Sequence, residues 1–189
     1  MSDTDPRPET HNRINFHAAV NSPEYQLIEA TFAGRYAERS GEAYMKHIDD
    51  GLDVLAAIDA HEITMRAWCL HPIVQVDEDL QPFLRSREIF HIDQRALVLA
   101  MEYRKVANAY LSRDYRGSGD KITLSPLKEV NQMLVADKVQ NYHDFLIHHA
   151  ETHPRARELD GYFNNWFRAL GVDYAPLAAA IGSHDEEEK

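Results

Sequence analysis

Apolar residues recur along most of the chain at the spacing of an amphipathic helix. Leu27, Phe32 and Tyr36 fall on one face of the first such stretch, and Ser22 followed by Pro23 is typical of a helix start. Alternating apolar and polar positions, the pattern of a half-buried strand, are hardly visible. The pattern therefore predicts an all-α fold, a compact helical bundle, with helices over residues 23–38, 43–59, 62–73, 93–115, 126–152, 155–170 and 173–181.

Prolines and glycines separate the predicted helices. Pro82 interrupts the stretch that follows the third helix, residues 117–120 form a glycine-rich loop, and Pro154 and Gly171 end helices. The first 21 residues are polar and contain two prolines, so a loosely ordered segment is predicted there. Residues 22–182 are predicted to form a single helical domain, and residues 183–189 an acidic tail.

Composition narrows the class of protein without naming a function. The chain has 189 residues, 44% apolar content, one cysteine and a formal net charge of −11. One cysteine allows no disulfide framework, and no stretch approaches the roughly 20 apolar residues that a membrane helix needs. The sequence therefore predicts a cytoplasmic protein that makes no membrane contact. The acidic charge disfavours broad nucleic-acid binding, whereas a small anionic ligand can still bind at a local cationic pocket or a metal.

Three short fragments carry the residues suited to chemistry. They are Arg39-Ser-Gly-Glu-Ala-Tyr44-Met-Lys-His47, Leu70-His71-Pro72 and Ala136-Asp137-Lys138-Val-Gln-Asn141. Their order and spacing resemble those of the HD-domain phosphohydrolases. Within that superfamily the chain is most similar to the hydrolase domain of the (p)ppGpp synthetase/hydrolases, over about residues 30–145. The resemblance implies an HD-domain-like bundle with a metal site formed by His47, His71 and Asp137.

Two imidazoles and one carboxylate suit Mn²⁺, Fe²⁺ or Zn²⁺, and three protein ligands leave coordination positions for water and phosphate. Mn²⁺ is the expected cofactor. The chain departs from the family at Pro72, where a fourth ligand is an aspartate, and at Gln75, where the alarmone hydrolases begin an acidic pair assigned to water activation. Gln75, Asp77 and Arg104 are therefore the candidate catalytic residues, and Asp79 is an alternative source of a carboxylate.

The same resemblance assigns residues to a nucleotide. Arg39, Ser40 and Asn141 match positions that line the pocket for base and ribose in the alarmone hydrolases. Asp137 and Asn141 are four positions apart on one predicted helix, so both can face one cavity. Two alternatives stay open: Asn141 caps a neighbouring turn, and Arg104 lies on an exposed helix stripe instead of gripping a phosphate. The histidine-rich stretch over residues 148–153 is expected to be solvated rather than metal-binding.

Together these features favour a metal-dependent phosphohydrolase that acts on a (p)ppGpp-like or another purine nucleotide. The alternative is a catalytically degenerate HD-like protein that binds a nucleotide or a protein partner without turnover, which Pro72 and Gln75 favour. A third hypothesis is an interaction domain that uses the acidic tail. Small phage proteins have segments similar to residues 69–72 and 136–141, which indicates a viral source and action in the host cytoplasm. A homo-oligomer is compatible with the sequence.

Overall fold

Helices account for the regular structure of the chain. The computed structural model describes residues 9–36 and 41–182. Within these ranges the elements are α1 (Glu9–Val20), α2 (Pro23–Phe32), α3 (Tyr44–Ala57), α4 (Glu62–Gln75), α5 (Asp77–Arg85), a 3-10 helix (Glu88–Phe90), α6 (Gln94–Ala109), α7 (Lys128–His148), α8 (Ala156–Leu170) and α9 (Tyr174–Ala178). The predicted all-α class is confirmed for the described residues. None of these helices is long and apolar enough to cross a membrane.

Helix α4 lies at the centre of the bundle. It packs against α1, α2, α3, α5, α6 and α7, and residues 67–70 are fully buried. A helix whose faces are all covered belongs to the core, so the side chain of His71 enters the protein interior with its neighbours. Helices α3 and α7 pack against each other and against α4. These three helices can therefore bring side chains from distant parts of the sequence to one point.

Local sequence explains where several helices begin and end. The Ser22 hydroxyl accepts a hydrogen bond from the Tyr25 N–H at 3.2 Å, which confirms the predicted start of α2. Helix α2 ends at Phe32 instead of residue 38, because Gly34 adopts a left-handed φ of 70°. Gly171, with a φ of 69°, ends α8 in the same way and as predicted.

Two helices lie where the sequence predicted none. Helix α1 occupies residues 9–20, so the prediction of a loosely ordered segment is wrong there. Its Ala19 is fully buried, and the Asn15 amide donates to the Ala60 carbonyl at 3.3 Å. Helix α5 runs through Pro82, which was predicted to be a break, and three acidic residues in its first turn stabilise its N-terminus. Residues 1–8 and the predicted tail over 183–189 lie outside the described residues.

Helices α3 and α4 approach each other closely at Gly51. The indole ring of Trp68 lies over Gly51, and its N–H donates to the Ile48 carbonyl at 3.0 Å. A Cβ at position 51 would overlap the ring. Because Trp68 is fully buried in a packed core, the ring cannot move aside without displacing its neighbours. Glycine at position 51 therefore allows the two helices to pack around Trp68.

The Gly51→Ala variant should lose about 1–3 kcal/mol of unfolding free energy, the usual cost of overpacking a core. Alanine otherwise stabilises a helix interior by roughly 0.5–1 kcal/mol relative to glycine, so a net loss isolates the overlap with Trp68. Urea denaturation followed by circular dichroism measures the difference. Gly119→Ala is the control, because a Cβ there meets open space, and it should change stability by less than about 0.5 kcal/mol. Equal stabilities of the two variants would contradict the packing argument.

Candidate metal centre

Three side chains with metal-binding atoms converge from α3, α4 and α7. They are His47, His71 and Asp137, and one ligand atom from each lies within 4.8 Å of the others. The Nε2 atoms of the two histidines are 3.1 Å apart. His71 is 2% exposed and Asp137 is 5% exposed, whereas His47 is half-buried. This group could hold a metal ion, as predicted for these three residues.

Hydrogen bonding determines which ring nitrogen of His71 carries hydrogen. Its Nδ1 lies 2.6 Å from the Trp68 carbonyl, which can only accept, so Nδ1 carries the hydrogen. Burial, and next the neighbouring His47, lower the pKa of His71 to about 3, so the ring is neutral near pH 7. A neutral ring with hydrogen on Nδ1 leaves a free lone pair on Nε2. The Trp68 ring stacks on His71 with centroids 4.0 Å apart and restrains its orientation.

Pro72 contributes to this arrangement. In a helix, residue 72 would donate its backbone N–H to the carbonyl of Trp68, four positions earlier, but proline has no N–H. The Trp68 carbonyl therefore lacks that helix bond, and the His71 ring donates to it instead. Pro72 thus frees the acceptor that orients the His71 ring.

His47 is oriented by a second acceptor. Its Nδ1 lies 2.5 Å from Oε1 of Gln140, and the Gln140 amide nitrogen donates to the Asp144 carboxylate at 2.9 Å. A carboxylate accepts and an amide NH₂ donates, so the amide oxygen must face His47. Nδ1 of His47 therefore carries hydrogen, and in the neutral ring this leaves a lone pair on Nε2.

When both rings are neutral with hydrogen on Nδ1, the two Nε2 lone pairs face each other at 3.1 Å and repel unless a proton or a metal ion lies between them. For zinc, two metal–nitrogen bonds of about 2.0–2.1 Å that meet at roughly 90–110° place their nitrogens about 2.8–3.4 Å apart. The separation of the two Nε2 atoms falls in this range. Each ring also donates its other N–H to an acceptor, which is the usual arrangement around metal-binding histidines. The donor set therefore fits a metal ion.

Asp137 completes the group as a charged ligand. Burial opposes its ionisation, but the Lys138 ammonium lowers its pKa below the ordinary value. The Lys138 ammonium lies 2.5 Å from Oδ2, and the Asn141 amide donates to Oδ1 at 2.7 Å. Lys138 is itself buried, with its ammonium 5.0 Å from the centre of the Trp166 ring. Asp137 is therefore ionised inside the protein because a buried lysine compensates its charge.

Tyr103 provides a further polar atom beside the group. Its ring lies against His71, with centroids 5.3 Å apart, and its buried hydroxyl has no hydrogen-bond partner among the described residues. Burial, and next the charge of Asp137, hold the pKa of Tyr103 well above its ordinary value. The hydroxyl therefore keeps its hydrogen and can donate to a ligand that reaches it.

The two histidines form part of the wall of a cavity of about 610 Å³. Its other lining residues include two cations, Arg35 and Lys46, and the stacked aromatic rings of Phe32 and Tyr44, whose centroids are 5.3 Å apart. The Lys46 ammonium is paired with Asp50 at 2.5 Å. Small-molecule sites typically enclose about 300–1,000 Å³, so the cavity can take a ligand of nucleotide size in contact with the histidines.

The structure brings together some of the predicted site residues. Gln75 and Asn141 line the cavity, and so does Asp79. Asn141 binds the carboxylate and the backbone carbonyl of Asp137, so it does not cap a neighbouring turn. Asp77 and Arg104 form an ion pair with each other at 2.5 Å and are not among the described lining residues. Their predicted catalytic role stays a prediction, and Asp79 is the α5 carboxylate among the lining residues.

Other predictions have mixed outcomes. Arg39 and Ser40, predicted to contact a nucleotide, lie outside the described residues. Within the described ranges, the group of side chains that could hold a metal does not include the histidines over residues 148–153, and their predicted solvation stays a prediction. Sequence reasoning missed Gln140 and Tyr103 as parts of the site. For Gln140 a signal existed, because it lies three residues after Asp137 and one before Asn141 on the same predicted helix.

No protein-family model, no curated protein and no solved structure matches this chain.

Proposed function

We propose that this protein is a metal-dependent phosphohydrolase that acts on a nucleotide, with Mn²⁺ as the preferred ion and a (p)ppGpp-like or another purine nucleotide as substrate. The observation that carries the proposal is the convergence of His47, His71 and the ionised Asp137, with the two imidazoles at the wall of a cavity. A divalent ion held there would polarise a phosphoryl oxygen and lower the pKa of water towards neutrality. Nitrogen and oxygen ligands together suit Mn²⁺, Fe²⁺ and Zn²⁺.

The lining of the cavity offers contacts for a phosphate and a planar ring, and it also carries the carboxylates Glu42, Asp79 and Asp144, whose charge a bound metal ion would offset. Arg35 and Lys46 can offset phosphate charge, and Arg35 also lies over the Phe32 ring, 5.5 Å from its centre. Tyr44 stacks on Phe32 and remains 42% exposed, so a base can stack on its open face. Asn141 donates to Asp137 and also lines the cavity, so it would contact a nucleotide bound beside the candidate metal group.

A second candidate function is nucleotide binding without turnover. Two lining residues favour it: Pro72 provides no ligand atom, and Gln75 has an amide that cannot take a proton from water. If the protein hydrolyses the nucleotide, the group that accepts a proton from water would be a carboxylate of the cavity wall, Asp79 or Asp144. The two candidates share the metal group and differ in whether phosphate is released.

Phosphate release from a panel of ppGpp, NTPs, dNTPs and cyclic nucleotides, with Mn²⁺, Fe²⁺, Zn²⁺ or a chelator, tests the proposal. We expect turnover of a purine nucleotide with Mn²⁺ and none with the chelator. Isothermal titration calorimetry on the same panel separates the two candidates. Binding of a nucleotide without phosphate release would establish the second candidate, and neither binding nor release would reject both.

A further inference from the structure

Gln140 contacts Nδ1 of His47, and this contact determines which ring nitrogen of His47 carries hydrogen. We propose that Gln140 is a positioning residue that holds His47 with its hydrogen on Nδ1, and so keeps both Nε2 lone pairs available for a metal ion. This inference rests on the proposed metal centre for its purpose, but its first test needs no metal. Gln140 is 1% exposed, and its amide touches His47 on one side and Asp144 on the other.

The alternative arrangement of the same atoms would close the site. If the hydrogen of His47 moved to Nε2, it could be donated to Nε2 of His71 across 3.1 Å, an ordinary hydrogen-bond length. His71 cannot be the donor, because its hydrogen is on Nδ1 and held by the Trp68 carbonyl. An internal hydrogen bond between the two histidines would occupy both lone pairs and compete directly with a metal ion. The position of one hydrogen therefore separates an open site from a closed one.

Asp144 determines the direction in which the Gln140 amide points. Rotation of the amide by half a turn would place its oxygen against the Asp144 carboxylate and its NH₂ against the Nδ1 hydrogen of His47, and both contacts would be repulsive. Asp144 lies one turn after Gln140 on α7, and Asp137 lies one turn before it. A single helix thus carries one metal-binding carboxylate and the pair that orients a histidine ligand from α3.

Nuclear magnetic resonance of the metal-free protein, labelled with ¹⁵N histidine, reads the hydrogen position directly, because protonated and unprotonated ring nitrogens differ in shift and in coupling to the ring hydrogens. We expect His47 and His71 both to carry hydrogen on Nδ1 in the wild-type protein. In Gln140→Met, which keeps the length and removes the amide, His47 should change to hydrogen on Nε2. Gln132→Met, the same substitution earlier on α7, should leave both rings unchanged.

Metal affinity provides the second readout, since loss of an outer hydrogen-bond partner of a ligand typically weakens metal binding by about 10–100-fold. Mn²⁺ and Zn²⁺ titrations should show that loss for Gln140→Met and no loss for Gln132→Met. Gln140→Glu keeps an accepting oxygen on Nδ1 and should retain the wild-type hydrogen position, which covers the case in which the methionine variant does not fold.

Two NMR results would overturn the inference, whatever the metal affinities are. One is hydrogen on Nε2 of His47 in the wild-type protein, and the other is hydrogen on Nδ1 of His47 in a folded Gln140→Met variant. Absence of metal binding by the wild-type protein would instead overturn the proposed function and, with it, the purpose assigned to Gln140. The two failures are therefore distinguishable, because the hydrogen positions are read before any metal is added.

Discussion

Replacement of His71 by alanine should abolish stoichiometric binding of a divalent ion and, with it, phosphate release. The variant loses one of three ligand atoms that lie within 4.8 Å of each other, and no other histidine or carboxylate completes such a group in the described part of the chain. The metal affinity should fall by more than about 10–100-fold, which is the usual effect of removing an outer hydrogen-bond partner of a ligand. Metal content after dialysis against Mn²⁺, measured by inductively coupled plasma mass spectrometry, gives the stoichiometry.

Two further variants make the result specific to the centre. Both histidines lie at the cavity wall, but His71 is buried and stacks on Trp68, so its loss can disturb the core. His47 is only half-buried. His47→Ala should remove the ion with less effect on folding. His91→Ala, an exposed histidine that is not among the cavity-lining residues, should bind and turn over as the wild type does. Full metal occupancy in either His71→Ala or His47→Ala would exclude this group as the metal site.

Helices α2 to α4 and α6 to α9 could be predicted because apolar residues recur in them at helical spacing and because Ser, Pro and Gly mark several of their ends. Helix α1 was missed because its few apolar positions, among them Phe16 and Ala19, are separated by polar residues, and its burial comes from packing against α3 and α4. Helix α5 was missed because Pro82 was interpreted as a break. A proline removes one helix bond, but in α5 the buried Leu80 and Phe83 on either side hold the segment against the protein.

The three residues of the candidate metal group could be predicted because their spacing is a property of the sequence, whereas their hydrogen-bond partners depend on the relative positions of three helices. Gln140 faces His47 only because α3 packs on α7, and Tyr103 reaches the centre only because α6 packs on α4. Pro72 was interpreted as the loss of a ligand. Only the structure reveals that the missing N–H leaves the Trp68 carbonyl to His71.

The candidates Asp77 and Arg104 pair with each other, and neither is among the residues that line the cavity. Asp77 was close enough in sequence to His71 to replace a missing carboxylate, but it begins a new helix and pairs with Arg104 of α6. That ion pair satisfies both side chains outside the cavity. Asp79, two residues later, turns towards the cavity wall. Sequence distance alone could not distinguish these two aspartates.

Replacement of Lys138 by methionine should destabilise the metal-free protein by about 3–5 kcal/mol, the cost of leaving a buried charge without its partner. The Lys138 ammonium is the cation nearest to the buried Asp137 carboxylate, at 2.5 Å, and burial opposes the ionisation of Asp137 once that cation is removed. Methionine fills most of the volume of the lysine side chain and removes only its ammonium, so the loss reports mainly charge rather than volume. Guanidinium denaturation gives the unfolding free energy of each variant.

A divalent ion should restore more stability to Lys138→Met than to the wild type, because Asp137 in the variant binds a cation without competition from the lysine ammonium. Ligand binding to the native state stabilises by RT ln(1 + [L]/Kd), so a tighter site gains more at the same Mn²⁺ concentration. Lys105→Met is the matched control, since Lys105 is exposed and pairs with Glu102 on the surface, and it should change stability by less than about 0.5 kcal/mol with or without the ion. Equal gains from Mn²⁺ in Lys138→Met and the wild type would place the ion away from Asp137 and leave the lysine as a purely structural partner of that carboxylate.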